Sequence, residues 1–526
     1  MGAVSPRNIV KLAAVMRKCV NWLIFSALGF ILAVGAFIFN LWILPMIVDY
    51  QVGKTMGLRN GTFVWDMFVE TPVPIYLKVY FFNVENPEGI ARGEIPRVKE
   101  VGPYVYRELR KKHDVTINEE NDTVFYHQGT VFSFDAEKSY PLKATDKVVL
   151  VNFILHLISQ VLESFSYPFS LFNEIVEIGL PLVMSGNSAP TSTYIVKDLL
   201  FDGFLITCNK STNASSLANL FCSSLKHFPN IRILSETEDG NLLGALFRYK
   251  NTSYDGLFEV NRGVKEFASI GKIVSVDHKT ALNNWKGDFC NKFAGSYDFT
   301  LLPPFVTKDS SFKIFSTDIC SSAPVVYSGK AEYRGISGLR FKIAPEFMGN
   351  TTKYPQNSCY CSGSIGNLTS SGECPPLGTL NLAPCMNIPA LVSYPHLLHT
   401  SPLYQSLVDG LKPNKTLHET FFDIEPTTGV PLKGYKRFQL NVLAKPSSAI
   451  RVLKDTKLAL FPILWMEEGA EIGEDQVNIL RDQLLKVLHI AEIIKWVLIS
   501  CGISMAIIGA IIAIWLVRRR VHQHPD

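Results

Sequence analysis

The side chains with the most latent chemistry in this chain are its cysteines: eight of ten, at positions 208, 222, 290, 320, 359, 361, 374 and 385, lie in one central stretch. An even set of thiols in an oxidising compartment forms disulfides, here four, although spacing alone leaves the pairing open. Metal binding is the competing chemistry, and it lacks support because no C-x-x-C pair and no histidine cluster accompanies the cysteines. Nucleophile and phosphate motifs are missing too: the sequence contains no G-x-S-x-G, H-E-x-x-H, G-x-x-x-x-G-K or G-x-G-x-x-G. His418-Glu419 opens like a zinc helix, but Thr-Phe-Phe follows and the second histidine is absent. Asp423 and Glu425 stand two apart on strand-like sequence, so they share a face, which suits a structural role better than acid–base catalysis. His156 interrupts an apolar run and reads as a structural or solvent-facing imidazole rather than a pH switch. No catalytic residue, metal or cofactor is expected.

A second chemistry is glycosylation. Acceptor sequons begin at Asn60, Asn121, Asn209, Asn213, Asn251, Asn350, Asn367 and Asn414. Cys19 sits at the edge of an apolar run, where palmitoylation and an unmodified thiol are equally good readings.

These residues must be held on the outer side of a membrane, and the charge distribution says how. The net charge of +4 resolves into +4 from Arg7, Lys11, Arg17 and Lys18, +2 from residues 518–526, and −2 between them. A positive excess confined to two tails orients a membrane protein and excludes a nucleic-acid groove. Uncharged stretches of 30 residues at Cys19–Val48 and 22 at Trp496–Val517 each exceed the roughly 20 needed to span hydrocarbon. The first is too long for a cleaved signal peptide and reads as a signal anchor. The expected layout is a cytosolic tail at 1–19, transmembrane helices at 20–48 and 496–517, an outer domain at 49–495 and a cytosolic tail at 518–526. A third uncharged run, Val148–Leu162, is short and contains Asn152, His156, Ser159 and Gln160, which are costly in lipid; sequons also flank it on both sides. It belongs to the outer domain.

No linker or repeat divides 49–495, so one domain is expected. Its texture is mostly strand, as in Ile75–Phe82 and Arg437–Val442. Two helical regions are expected, about 148–185 and about 474–494. In the latter, Val477, Leu480, Leu484, Val487, Ala491 and Ile494 form an apolar stripe that suits packing on its own domain better than a short coiled coil.

Longer segments carry a resemblance. Residues 79–109 (VYFFNVENPEGIARGEIPRVKEVGPYVYREL), 302–305 (LPPF), 316–320 (STDIC), 374–385 (CPPLGTLNLAPC), 422–442 (FDIEPTTGVPLKGYKRFQLNV) and 461–469 (FPILWMEEG), in this order between two terminal spans, resemble the class B scavenger receptor family. That family includes the fatty-acid translocase, the lysosomal integral membrane proteins and the insect sensory neuron membrane proteins; the cysteine pattern is most similar to the insect branch. The resemblance implies an α+β fold: a β-rich, antiparallel, barrel-like ectodomain with an apical helical bundle at about 148–200, an internal hydrophobic tunnel and two transmembrane anchors. It implies the disulfides Cys290–Cys359, Cys320–Cys385 and Cys361–Cys374, which leaves Cys208–Cys222. It also places Phe153, Leu157, Phe165, Phe169 and Phe172 as apical ligand contacts. Where the family has Arg after Asp-Ile-Cys, this chain has Ser321, and residues 179–194 offer no lysine to attract an anionic particle.

The function these features imply is a surface receptor that captures hydrophobic ligands (fatty acids, sterols, carotenoids or lipid pheromones) and passes them through the tunnel to the membrane or a neighbouring receptor. The alternative is a receptor for protein or particle ligands, in phagocytosis, adhesion or enzyme escort. Lipoproteins or a co-receptor are the further expected partners, with oligomerisation through the transmembrane helices. Plasma membrane is the expected location, with the endosomal membrane equally compatible with so short a tail.

Overall fold

The computed structural model describes residues 6–156, 159, 189–208, 222–223, 231–298, 300–361, 374–388, 390–447 and 450–521. Two units result, one made of Met1–Thr55 with Gly473–Asp526 and the other of Met56–Ile472.

The first unit is a pair of long helices. Pro6 to Met56 is α-helical apart from a π turn at Phe39–Ile43, and Glu474 to Val521 is helical throughout, with a π stretch at Leu480–Leu485. Both are long and apolar enough to cross a membrane, at Ala13–Met56 and Leu488–Arg519. Leu28, Phe30, Ile31, Ile507 and Ile511 stand exposed along them, as side chains do where lipid is the solvent. The apolar stripe expected at 474–494 is not continuously covered: Val477 and Leu480 are buried, but Ile494 is exposed.

Small residues form the seam between the helices. Cys19 Sγ approaches the Ala513 carbonyl at 3.8 Å, and Ser26 Oγ donates to the Ala506 carbonyl at 2.7 Å. A Cβ on Gly29 would stand 2.6 Å from the Ala506 nitrogen, and one on Gly502 would stand 2.7 Å from the Ala33 nitrogen. As one helix ascends from 19 to 33 its partner descends from 513 to 502, so the pair is antiparallel. In lipid such helices gain nothing from the hydrophobic effect, and close backbone approach with interhelical hydrogen bonds supplies the attraction.

The second unit is built on one antiparallel sheet of thirteen described strands. Their order is Ile273–Val276, Ser253–Asn261, Thr123–Phe134, Val98–Asn118, Ile75–Val84, Ala459–Glu471, Pro431–Ala444, Phe421–Ile424, Ile336–Ile343, Ser321–Tyr333 and Phe312–Ser316. Ala390–Ser393 also pairs with Pro431–Ala444, and Thr379–Asn381 pairs with it in turn. The strands arise from period-two patterning: in Ile75–Val84 the buried Leu77, Val79 and Phe81 alternate with the half-buried Tyr76, Lys78 and Tyr80.

The sheet closes on itself. Gly295 N donates to the Ile273 carbonyl and Ile273 N donates to the Ser296 carbonyl, both at 2.8 Å, on one edge strand. Tyr297 N donates to the Lys313 carbonyl at 2.9 Å and Phe315 N donates to the Tyr297 carbonyl at 2.8 Å, on the other. Residues 295–297 thus tie the two edges together, which satisfies backbone groups that an open edge would leave free.

One expectation needs correction. The region read as helical from 148 begins as strand: Lys147–Val151 pairs antiparallel with Thr191–Ile195. Val148, Val149 and Val151 are β-branched, and Val148, Leu150 and Val151 are buried, so the pleated surface suits them. Helix starts only after Asn152, whose Oδ1 accepts from Leu155 N at 3.2 Å as an N-cap does. Of the described residues in 148–200, only 153–156, 159 and 196–200 are helical.

Replacing Gly502 with isoleucine should force the helix pair apart at a cost of about 1–3 kcal/mol, read as a lower melting temperature of the full chain in detergent. Gly35→Ile is the control, since a Cβ there meets nothing within 4 Å. Equal loss in both variants would refute the seam.

Candidate functional site

A cavity of about 160 Å³ lies inside the second unit. Its wall is mostly apolar and comes from many strands: Leu77, Phe132, Ala323, Phe422, Leu440 and Met466 turn into it from six of them. Leu380 adds to it from Thr379–Asn381, and Phe347 and Met386 complete it from connecting segments. Side chains at alternate strand positions on one face all enter the same interior once the sheet is closed.

At one part of this wall the lining turns ionic. Lys250, Asp318, Lys436 and Glu468 face the cavity. Lys436 Nζ donates to Asp318 Oδ2 at 2.7 Å and to Glu468 Oε2 at 3.2 Å, and Lys250 pairs with Asp318. Glu468 also accepts from Arg110, which in turn holds Glu108. The result is an alternating chain, Lys250–Asp318–Lys436–Glu468–Arg110–Glu108. Register explains the meeting: Lys436 pairs with Glu468, and Glu468 with Leu77, on adjacent strands. Burial alone would push the Asp318 carboxyl up, but Lys250 and Lys436 outweigh it and hold the group far below the carboxylate range. Lys436, with Arg110, does the same for Glu468. Burial dominates at Glu108 and raises its pKa despite Arg110. Further along the Glu108 strand, Lys112 lies over the Phe68 and Tyr126 rings and donates to the Phe68 carbonyl at 2.8 Å; burial pushes its pKa down to about 8.

An apolar chamber with one polar wall suits an amphiphilic ligand, and comparison with known proteins agrees with a receptor architecture. The CD36 family model matches residues 27–513. This chain belongs to the CD36 family. Among curated proteins it is 33% identical to sensory neuron membrane protein 2 of Manduca sexta, with 89% of each chain covered. It is 30% identical to sensory neuron membrane protein 2 of Anopheles gambiae, with 92% of each covered. It is 31% identical to sensory neuron membrane protein 1 of Bombyx mori, over 93% of this chain and 90% of that one.

In this CD36-family chain four disulfides join Cys208–Cys222, Cys290–Cys359, Cys320–Cys385 and Cys361–Cys374. Cys320–Cys385 ties the turn that presents Asp318 and Ile319 to the segment that presents Leu382 and Met386, so it braces the cavity wall directly. Trp285 packs beside Cys290, Cys359 and Tyr360, and its Nε1 donates to the Cys320 carbonyl at 2.7 Å. Ser321 is buried here, with Oγ 2.8 Å from the Tyr360 hydroxyl and 3.2 Å from the Cys290 carbonyl. A small hydroxyl fits that gap between the two segments.

The other residues singled out in the sequence go to different places. Phe153 is buried against Tyr194 and Phe204 at the start of the helix. Leu157, Phe165, Phe169 and Phe172 lie outside the described residues, as do Asn209, Asn213 and Asn367. Asn60, Asn121, Asn350 and Asn414 are exposed, whereas Asn251 is half-buried and its Oδ1 accepts from Phe132 N. Asp423 holds Arg340 through two bonds of 2.7 and 2.8 Å, and Glu425 accepts from Thr427 N and Thr428 N, so each carboxylate serves a local structural bond. His156 is buried, which excludes its solvent-facing reading, and burial pushes its pKa down to about 4. His418 stacks on His396 at 4.5 Å and accepts from Asn414 N through Nδ1; burial, with His396 and Arg437 nearby, lowers it to about 4. The sequence reading missed the charged chain altogether. Its signal was faint: single charges at inward positions of apolar strands, such as Lys436 and Glu468.

The depressed imidazoles set a pH dependence. Folding favours neutral His156 and His418, so their contribution is whole above the unfolded value of 6.5 and is lost as pH falls toward about 4. The loss should be on the order of 1–3 kcal/mol per imidazole. Melting temperature should fall over that interval, and less steeply in His418→Gln; an unchanged slope would show that His418 is not a source.

Proposed function

We propose that this protein is a cell-surface receptor that takes a hydrophobic ligand from outside the cell into its ectodomain and delivers it to the membrane or to a neighbouring receptor. The observation that carries this reading is the apolar cavity inside the closed sheet. Its volume is close to that of an apolar cavity of roughly 150 Å³ that stays dry and binds benzene. It therefore has room for about six carbons of a longer chain by the same measure. Each methylene moved from water into such a place gains about 0.8 kcal/mol, so binding and release need no ATP. A path from the cavity to the bilayer is part of the proposal. The names of the relatives suggest the membrane of a sensory neuron as the setting.

Both termini are proposed to be cytosolic. The antiparallel helix pair brings the two ends to one side, and the basic residues Arg17, Lys18, Arg518 and Arg519 follow the positive-inside rule there. The outer face is then the compartment where the disulfides form and the sequons are used.

Ala323 lines the cavity, and Ala323→Phe would fill it, at a stability cost of about 1–3 kcal/mol. Cells displaying this variant at the wild-type surface level should lose the lipid uptake that the wild type confers. Uptake that persists would remove the cavity from the route and favour a receptor for protein or particle ligands. Epitope tags at either terminus should survive protease added to intact cells; cleavage of one would place that end outside.

A further inference from the structure

The cavity wall has a break along the strand Pro431–Ala444. One side of that strand is paired with Ala459–Glu471 from Lys433 to Ala444. The other side is shared: Phe421 pairs with Tyr435 and Ser393 with Gln439, which leaves Lys436, Arg437 and Phe438 without a strand partner there among the described strands. The chain leaves the wall at Ser393 and returns at Phe421, and Ser393, Tyr394, Thr420, Arg437 and Phe438 all line the cavity at this place. Segment 394–420 covers the break. Thr420 Oγ1 accepts from Arg437 N at 2.9 Å and donates to the Arg437 carbonyl at 3.1 Å. Arg437 Nη1 donates to the Glu419 carbonyl at 2.8 Å, and His396 N donates to Gln439 Oε1 at 2.6 Å. His396 and His418 stand two residues from Tyr394 and Thr420, both buried, with their rings stacked at 4.5 Å. The stack fastens the start of the segment to its end.

The bonding requires both imidazoles to be neutral. His396 Nδ1 accepts from Lys412 N and His418 Nδ1 accepts from Asn414 N, each at 3.0 Å, and a backbone N–H donates only to a ring nitrogen that carries no proton. His396 Nε2 therefore holds the hydrogen and donates to Glu100 Oε2 at 2.7 Å, which also accepts from Trp465 Nε1. We propose that segment 394–420 is an acid-released gate to the cavity: a proton taken up by the His396–His418 stack undoes its fastening and opens the wall beside Arg437. The inference rests on the reading of the cavity as a ligand site. A proton on His418 Nδ1 would oppose the Asn414 N–H and set a buried cation against the neighbouring ring. Glu100 and Arg437 are the charged groups that face the pair from the sheet, Glu467 being held by Arg437 and Lys78; Arg437 opposes a charge on His418 and Glu100 favours it. Glu100 keeps 36% of its side chain accessible, which gives solvent protons a path to the pair. On the segment itself, His399 and Glu419 form a pair at 2.8 Å that acid would strengthen, but His399 is exposed and such a contact contributes little. His396, Leu397 and His399 hold φ values of 54°, 56° and 64°, a region that residues other than glycine keep only while surrounding contacts impose it. Release of the stack should therefore spread along the segment.

The gate is tested first by hydrogen–deuterium exchange of the full-length chain in lipid nanodiscs, corrected for the intrinsic effect of pH on exchange. Because His418 titrates at 6.5 when released and at about 4 when stacked, opening of 394–420 should be about twentyfold more frequent at pH 5 than at pH 7, with Ile75–Val84 unchanged. His418→Gln keeps an acceptor for Asn414 N and cannot take a charge, so it should lose most of this pH dependence whatever its level of protection. Should His418→Gln fail to fold, Glu100→Gln keeps the acceptor for His396 without the charge and should move the response to lower pH. The second readout is dissociation of N-phenylnaphthylamine, uncharged throughout this range, into excess empty nanodiscs. Dissociation should be faster at pH 5 than at pH 7 in the wild type, and should lose most of that acceleration in His418→Gln. Exchange in 394–420 that ignores pH, or that responds equally in the wild type and the variant, would overturn the gate. Opening without faster dissociation would take the segment off the ligand's route and overturn the gate while leaving the cavity as a ligand site. A chain that binds no probe at either pH would overturn the cavity reading and the gate with it.

Discussion

The hydrogen bonds that residues 295–297 make to both edge strands govern the rest of the second unit. An open antiparallel sheet has two faces and two edges, and its inner face must be covered by something else. Once the edges are tied, one face of every strand becomes an interior. Alternate side chains from strands far apart in sequence then share a single volume. The cavity, its apolar lining and the meeting of Arg110, Lys436 and Glu468 all follow from that closure. The disulfide Cys320–Cys385 adds a covalent brace where connecting segments, not strands, complete the wall.

That interior contains two kinds of surface which ordinarily exclude each other. Apolar walls make unpaired charge expensive, and the charged chain persists because each member lies against an opposite partner. Its members come from the segment before Ser253–Asn261, the turn before Ser321–Tyr333 and three strands of the sheet. Pairing across so many elements makes the cluster a cross-brace as well as a polar wall. Removing one partner disturbs both the charge balance of the wall and the contacts between strands.

The two helices obey a different rule from the second unit. Water drives apolar side chains into the sheet's interior, while lipid leaves Leu28 or Ile511 content on the outside. What holds the helices together is close approach at Gly29 and Gly502 and the Ser26 hydroxyl bond. The same amino-acid alphabet is thus read in opposite senses in the two units. Reading each requires knowing its solvent.

Much of this was legible in the residues alone. The two spans were plain because about 20 uncharged residues in a row have few other uses. The strands at Ile75–Phe82 and Arg437–Val442 showed in their β-branched and aromatic composition, and the family membership showed in long ordered segments between the spans. The start of the region from 148 was misread because an apolar run has the same composition whether strand or helix; pairing of Lys147–Val151 with Thr191–Ile195, some forty residues away, decided it. The packing of Phe153 against Tyr194 and Phe204 was not legible for a related reason, since apolar residues that line a site and those that fill a core look alike in sequence. The charged chain could not be read at all: Glu108, Lys250, Asp318, Lys436 and Glu468 are spread over most of the second unit's sequence, and each alone resembles a surface charge. Sequence by itself determined which two segments are long and apolar enough to span a membrane and where much of the strand pattern lies, because those depend on local composition and periodicity. Tertiary structure alone decided which charges meet and what the interior offers a ligand, because both depend on a closure that brings distant strands to face one another.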